Sequence, residues 1–265
     1  MTSTYDDFIA KVETGDLQGL VLVEDVMDFP TDGLIPKENR KIADDIIQRY
    51  GTYVKMDKSG IPCALSVLLG GEAGTGKTSL IRYIAHMMGL PLVTFRYSGL
   101  VGETAAATCH AISTVFQAVQ DFPCVLCFDR IETFCTEMVS NEPNNFVEHI
   151  SRTLAQELEN MPNSVIFIAT MDKPMIMAES DKKDEEAGYG KLSAPLSSRF
   201  GIVADTKPIT SQEEIKEIYN EFFSLIGMEP GKRADEVKGK TPIFWLLAGC
   251  TFDATNLIRE RNEHG

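Results

Sequence analysis

One stretch constrains this chain more than any other. Gly71-Glu72-Ala73-Gly74-Thr75-Gly76-Lys77-Thr78 fits G-x-x-x-x-G-K-[ST], the Walker A phosphate loop. The residue types follow from the chemistry of holding phosphate. Glycines let the backbone wrap closely around phosphate oxygens, and inward-pointing N–H groups make an anion nest. The helix that follows adds the positive end of its dipole. Lys77 is placed to reach the β- and γ-phosphates, and the Thr78 hydroxyl to ligate Mg²⁺. Ser79 completes the segment counted with the loop. The flanks agree. Leu65 to Leu69 is an apolar run suited to a buried strand, and Leu80 to Met88 is an amphipathic run suited to a helix. A nucleotide, with ATP and Mg²⁺ as the expected pair, is therefore the first functional expectation.

The chain has 265 residues, 43% of them hydrophobic and 24% charged, which is ordinary for a globular protein. No apolar run approaches the roughly 18 residues of a membrane span. The opening MTSTYDDFIAK shows neither the basic region nor the apolar core of a signal peptide. The formal net charge is −14. Sequence-independent contact with nucleic acid needs Lys and Arg against phosphates, and only short pieces such as Gly231-Lys232-Arg233 provide them. Nucleic acid is a disfavoured partner and a membrane is not expected. Of six cysteines, Cys124 and Cys127 have the CxxC spacing. They lie in a strand-like run, where residues i and i+3 face opposite sides, so neither a disulfide nor a shared zinc is expected of them. Core thiols in a reducing cytoplasm are the natural reading.

Residues 1–60 read as a leader. It holds a short helix near Tyr5 to Val12, a strand or edge segment at Leu20 to Val26, and an amphipathic helix from Pro36 to Tyr53. Residues 61–206 alternate strands (Leu65–Leu69, Leu92–Arg96, Cys124–Asp129, Ser164–Thr170, Gly201–Ala204) with helices (Lys77–Met88, Thr104–Gln120, Asn145–Asn160). Such alternation predicts an α/β fold with a parallel sheet, and ligands then gather at the carboxyl ends of the strands. Glu179 to Lys191 is charged and reads as a solvated loop. Residues 207–265 change character: Ser211–Ile226, Thr241–Ala248 and Asp253–Asn262 are three helical runs.

A second acidic position belongs at the end of a buried strand beside a phosphate loop. Pro123 to Asp129 supplies it, and Asp129 is the candidate for holding the Mg²⁺ shell. At this point the chain, from about residue 60 onward, resembles the AAA+ ATPases, and more narrowly their protein-remodelling branch. Three further pieces carry the resemblance. Leu100-Val101-Gly102-Glu103-Thr104 is similar to that family's pore loop 1. Phe116, Ala118 and Pro123 repeat its spacing into Walker B. Ala194-Pro195-Leu196-Ser197-Ser198-Arg199-Phe200 is similar to the segment carrying its arginine finger.

The resemblance implies a P-loop sheet in the order 5-1-4-3-2, counting the five strands of residues 61–206 along the chain. Residues 61–206 are then the nucleotide-binding domain and residues 207–265 a helical lid. It implies a homo-oligomeric ring or spiral, hexameric by expectation although no motif encodes ring size. Arg199 would complete the site of the neighbouring subunit, and Leu100 and Val101 would contact a protein substrate. Two departures matter. Where the family has Asp-Glu this chain has Asp129-Arg130, with Glu132 two positions further on. Where the family has Ala-Thr-Asn it has Ala169-Thr170-Met171-Asp172, leaving Asp172 as the nearest polar group. Glu132 or another carboxylate positions the attacking water; or hydrolysis is slow and binding acts as an assembly switch; or a partner subunit supplies the missing residue. Two functional classes follow, a protein-remodelling ATPase and a nucleotide-gated scaffold. A DNA-associated loader is a third, which the charge disfavours.

Overall fold

The computed structural model describes residues 2–26, 34–57, 59, 64–100, 104–135, 145–172, 192–229, 241 and 243–264. Helix α1 (Thr2–Thr14) leads to strand β1 (Val21–Glu24) and helix α2 (Lys37–Asp57). Next come β2 (Leu65–Gly70), α3 (Lys77–Met88), β3 (Leu92–Phe95), the single-turn α4 (Tyr97–Leu100) and α5 (Ala105–Ala118). They are followed by β4 (Val125–Phe128), the single-turn α6 (Glu132–Cys135), α7 (Asn145–Glu159), β5 (Ile166–Thr170), the single-turn α8 (Ala194–Ser197) and β6 (Ile202–Asp205). Helices α9 (Gln212–Leu225) and α10 (Ile243–His264) follow the sheet.

The six strands form one sheet in the order β1-β3-β4-β5-β2-β6. Counted from β2, the five parallel strands run 5-1-4-3-2, the order expected from the resemblance. The sheet is nevertheless mixed, because β1 pairs antiparallel with β3, Val21 opposite Phe95 and Glu24 opposite Leu92. An unpaired β3 would leave a row of backbone N–H and C=O groups at the edge, and β1 covers them. Arg82 of α3 fixes this strand by a two-pronged ion pair to Glu24, at 2.8 and 3.2 Å.

Every residue of β2, β4 and β5 is buried, as central strands covered on both faces must be. The pleat sends alternate residues to opposite sides. Leu126, Phe128, Phe167 and Ala169 enter the core beneath α1, α5 and α7. Val125, Cys127, Ile166 and Ile168 enter the core beneath α2 and α3. Cys124 lies in the first core and Cys127 in the second, so the CxxC thiols face away from each other across the sheet. Burial also pushes both thiols far up from their usual pKa, which makes them poor nucleophiles.

A third core joins α9 to α10 through Ile215, Tyr219, Phe223, Leu246 and Cys250. Here the sequence reading needs one correction. The two runs expected at Thr241–Ala248 and Asp253–Asn262 are a single helix, α10. A glycine inside a helix costs only about 1 kcal/mol, so Gly249 does not break it. Thr251, which falls between the two expected runs, and Thr255, inside the second, donate their hydroxyls back to the carbonyls of Leu247 and Thr251 within the helix. Thr104 caps α5 by accepting from the Ala107 N–H at 3.2 Å.

Candidate nucleotide site

Strands β4, β5 and β2 are neighbours, and their carboxyl ends bring three loops together. The phosphate loop leaves β2, Asp129 follows β4, and Asp172 lies just beyond β5. They border a cleft of about 490 Å³. Ala73, Gly74, Gly76, Lys77, Thr78 and Ser79 form its floor, Asp129, Arg130 and Asp172 one wall, and the Ile243 to Thr251 stretch of α10 the other. Of the remaining loop residues, Gly71 and Glu72 lend their carbonyls to Lys77, and Thr75 is wholly buried.

Positive φ angles at Gly71, Gly74 and Gly76 (132°, 83° and 95°) bend the loop. At Gly71 the requirement is also spatial, since a Cβ there would lie 2.4 Å from the Thr206 hydroxyl. Lys77 opens α3 and is 7% exposed. An ammonium has three donors, and three acceptors face it: Gly71 O at 2.8 Å, Glu72 O at 3.2 Å and Asp172 Oδ1 at 3.1 Å. The floor thus combines a buried cation, glycines at positive φ and the first turn of a twelve-residue helix, whose leading N–H groups have no partner within the helix. That set fits a polyphosphate. The Thr78 hydroxyl and the Asp129 carboxylate are the oxygen donors a hard divalent cation takes. The residues present therefore fit ATP with Mg²⁺.

The acidic wall departs from the sequence reading. Asp129 accepts from the Thr170 hydroxyl at 2.6 Å, and that hydroxyl accepts the Arg130 N–H at 2.8 Å. Arg130 has φ 56°, and among the described residues it alone adopts a positive φ without being glycine. This conformation costs a non-glycine residue on the order of 1 kcal/mol. Its guanidinium Nε lies 3.1 Å from Asp172 Oδ2. Asp172 therefore bridges Arg130 to Lys77. Glu132 does not border the cleft. Its Oε1 accepts the Asp172 N–H at 3.2 Å and lies 3.9 Å from Arg130 Nε. Burial, the largest influence, pushes its pKa above the usual carboxylate value.

Arg199 is remote from this cleft. Its carbonyl accepts from Ser66 near the start of β2, whereas the phosphate loop leaves the far end of that strand. Its guanidinium pairs with Glu159 at the end of α7. Leu100 corrects an expectation: it is 1% exposed within the main core, because it closes the α4 turn against α5. It presents nothing to a substrate. Tyr97, on the same turn, is 61% exposed. Val101 and the charged stretch 179–191 lie outside the described residues.

Residues that sequence reasoning passed over complete the site. Asn39, 1% exposed on α2, donates to the Thr75 carbonyl at 3.0 Å and the Lys207 carbonyl at 3.3 Å, and accepts the Lys207 N–H at 2.9 Å. The Thr206 hydroxyl lies 2.7 Å from that of Thr75 and donates to the Gly70 carbonyl. The Phe244 N–H donates to the Gly74 carbonyl at 3.0 Å, joining α10 to the loop. Asn39 did leave a trace. It stands in register with Ile42 and Ile46 on the apolar stripe of α2, and a polar residue in such a stripe needs partners.

Residues 67–182 match the family described as ATPase family associated with various cellular activities (AAA). Curated relatives agree. The chain is 20% identical over 182 residues to the ATPase family gene 2 protein of Saccharomyces cerevisiae, covering 64% of this chain and 23% of that one. It is 26% identical over 121 residues to the nuclear valosin-containing protein-like protein of Mus musculus, covering 44% and 14%. It is 23% identical over 137 residues to the peroxisomal ATPase pex6 of Schizosaccharomyces pombe, covering 50% and 14%. In each case the match spans less than a quarter of the relative's length.

Proposed function

We infer that this chain, which carries an AAA+ ATPase domain of the protein-remodelling type, binds ATP with Mg²⁺ in the cleft above Lys77. It hydrolyses the ATP where two copies meet, and uses the cycle to remodel a protein partner. The observation that carries this reading is the convergence of the phosphate loop, Asp129 and Asp172 on one cleft walled by α10. Lys77 takes the β- and γ-phosphates, and Thr78 and Asp129 hold the metal. Bound Mg²⁺ supplies neutralisation of charge that develops on the phosphoryl oxygens. Asp172 at the cleft wall orients the attacking water, and Glu132, which accepts the Asp172 N–H from behind that wall, positions Asp172.

Arg199 acts on the next subunit's nucleotide. Its position toward the opposite end of β2 supports that role, since it is remote from its own phosphate loop. On α10, Phe244, Trp245 and Phe252 are 58%, 67% and 61% exposed, and Phe244 borders the cleft. Apolar surface of this kind marks a contact with another protein, and a second copy in a ring or spiral, six subunits by family habit, covers it. Tyr97 replaces Leu100 as the residue offered to the protein substrate. Among the described residues no helix is long and apolar enough to cross a membrane, and the cytoplasm is the proposed setting.

The test is ATP turnover against protein concentration. The specific rate rises with concentration. Lys77→Ala and Arg199→Ala are each inert, and mixing them restores turnover, because one keeps a working cleft and the other a working arginine. Failure of the mixture to recover would refute the shared site.

A second reading has a specific observation behind it. Arg130 lines the cleft and Glu132 does not, as a protein that binds ATP without consuming it would arrange them. In that case wild type binds ATP but turns over very slowly, and Arg130→Glu gains activity.

A further inference from the structure

Three donors of the Lys77 ammonium are matched by three acceptors, and Asp172 is the one of these acceptors that lies outside the phosphate loop. A phosphate that takes this ammonium must therefore compete with Asp172. In loops of this type the lysine serves the β- and γ-phosphates, so a triphosphate brings more negative charge towards Asp172 than a diphosphate does. Two like charges at such separations repel strongly unless one is neutralised. The neutralising group is in place: Arg130 Nε lies 3.1 Å from the other Asp172 oxygen. Arg130 holds that position in a left-handed conformation, pinned by the bond from its N–H to Thr170.

We propose that the Arg130–Asp172 ion pair sets this site's preference between nucleoside tri- and diphosphates, with Arg130 masking the carboxylate that would otherwise oppose the terminal phosphate. The proposal rests on the nucleotide reading above and assigns Arg130 a positive role in it. It makes the two partners act in opposite directions. Removing Arg130 bares Asp172 and weakens triphosphate binding more than diphosphate binding. Removing the Asp172 charge releases both Lys77 and Arg130 and strengthens triphosphate binding selectively. Arg130 is a specificity residue here.

The experiment is isothermal titration of the full chain with Mg²⁺ and either ADP or an ATP analogue whose β–γ bridge cannot be cleaved. The variants are Arg130→Gly, Arg130→Lys, Asp172→Asn and the double variant Arg130→Gly with Asp172→Asn. Glycine relieves the positive φ, so the first variant keeps its fold, which a thermal melt verifies. The expected result is a fall of about fivefold in the triphosphate-to-diphosphate affinity ratio for Arg130→Gly and a rise of similar size for Asp172→Asn, at the upper end for a partly exposed pair. Arg130→Lys retains most of the wild-type ratio. The double variant returns towards wild type, because no carboxylate is left to mask. Ratios that do not move, or that move in the same direction in both single variants, overturn the proposal while leaving the nucleotide site intact. If wild type binds neither nucleotide, the site reading itself falls and takes this inference with it.

Discussion

Asn39 and Lys207 stand 168 residues apart and exchange two hydrogen bonds, from Asn39 Nδ2 to the Lys207 carbonyl and from the Lys207 N–H to Asn39 Oδ1. A side-chain amide here does what a neighbouring strand does. The same Nδ2 also reaches the Thr75 carbonyl of the phosphate loop. One buried residue therefore ties α2, the loop and the connection from β6 to the helical segment. Asn39→Ala leaves the buried Thr75 carbonyl without its donor, while water can partly replace the amide at the part-buried Lys207 groups. One unsatisfied buried polar group costs about 1–3 kcal/mol, and a loss in that range is expected. For a chain of this size that lowers the melting temperature by roughly 2–12 °C. Calorimetry with and without nucleotide measures it, and an unchanged melting temperature would contradict the assignment.

Glu132 carries an expectation about pH. Its pKa is raised above the ordinary 4.5, chiefly by burial, with the neighbouring Asp172 charge adding to it. The folded chain thus favours the protonated form. The stability this group contributes is fully present below its unfolded pKa and is lost as pH rises through the folded one. At neutral pH the ionised carboxylate opposes folding. Glu132→Gln retains an oxygen for the Asp172 N–H and removes the charge, so it melts above wild type at pH 7. The difference shrinks towards zero below about pH 4.5. A pH series of melting curves reads this out, and the same variant reports separately on hydrolysis.

The N-terminal helix is part of the main core. Phe8 is 3% exposed, and its ring stacks on Phe122 with centroids 4.0 Å apart. Phe8→Ala is expected to cost about 3 kcal/mol, the lower range for losing a buried aromatic ring. Urea denaturation would show the midpoint falling while the slope stays unchanged. A variant as stable as wild type would mean that α1 packs only loosely.

Trp245 and Phe252 are more than half exposed on α10, and substitutions at exposed sites seldom shift stability by more than about 0.5 kcal/mol. Trp245→Ser with Phe252→Ser is expected to leave the melting temperature of the dilute protein nearly unchanged. Self-association in the presence of ATP weakens severalfold. Sedimentation velocity across a concentration series distinguishes this outcome from one in which the exposed aromatics do not meet a second copy.

What could be read along the chain was whatever is written locally. The glycines and lysine of residues 71–78, the apolar runs of β2, β4 and β5, and the period of α3 each fit within about ten residues, and they determined the cleft floor and the parallel part of the sheet. Asp129 was legible because a buried strand ending in a carboxylate is a local pattern. The strand order came from the resemblance, not from any single strand.

Tertiary structure alone decided the rest. That Asp172 neutralises Arg130 and reaches Lys77 follows from β5 lying between β4 and β2, which brings residues 42 and 95 positions apart in sequence into contact. That Glu132 stands behind the cleft wall follows from the α6 turn, which directs its carboxylate to the Asp172 N–H. That Leu100 is buried while Tyr97 is exposed follows from how one short turn seats against α5. Hydrogen bonds and ion pairs act over about 3 Å, and sequence spacing records none of those distances until the sheet order is set.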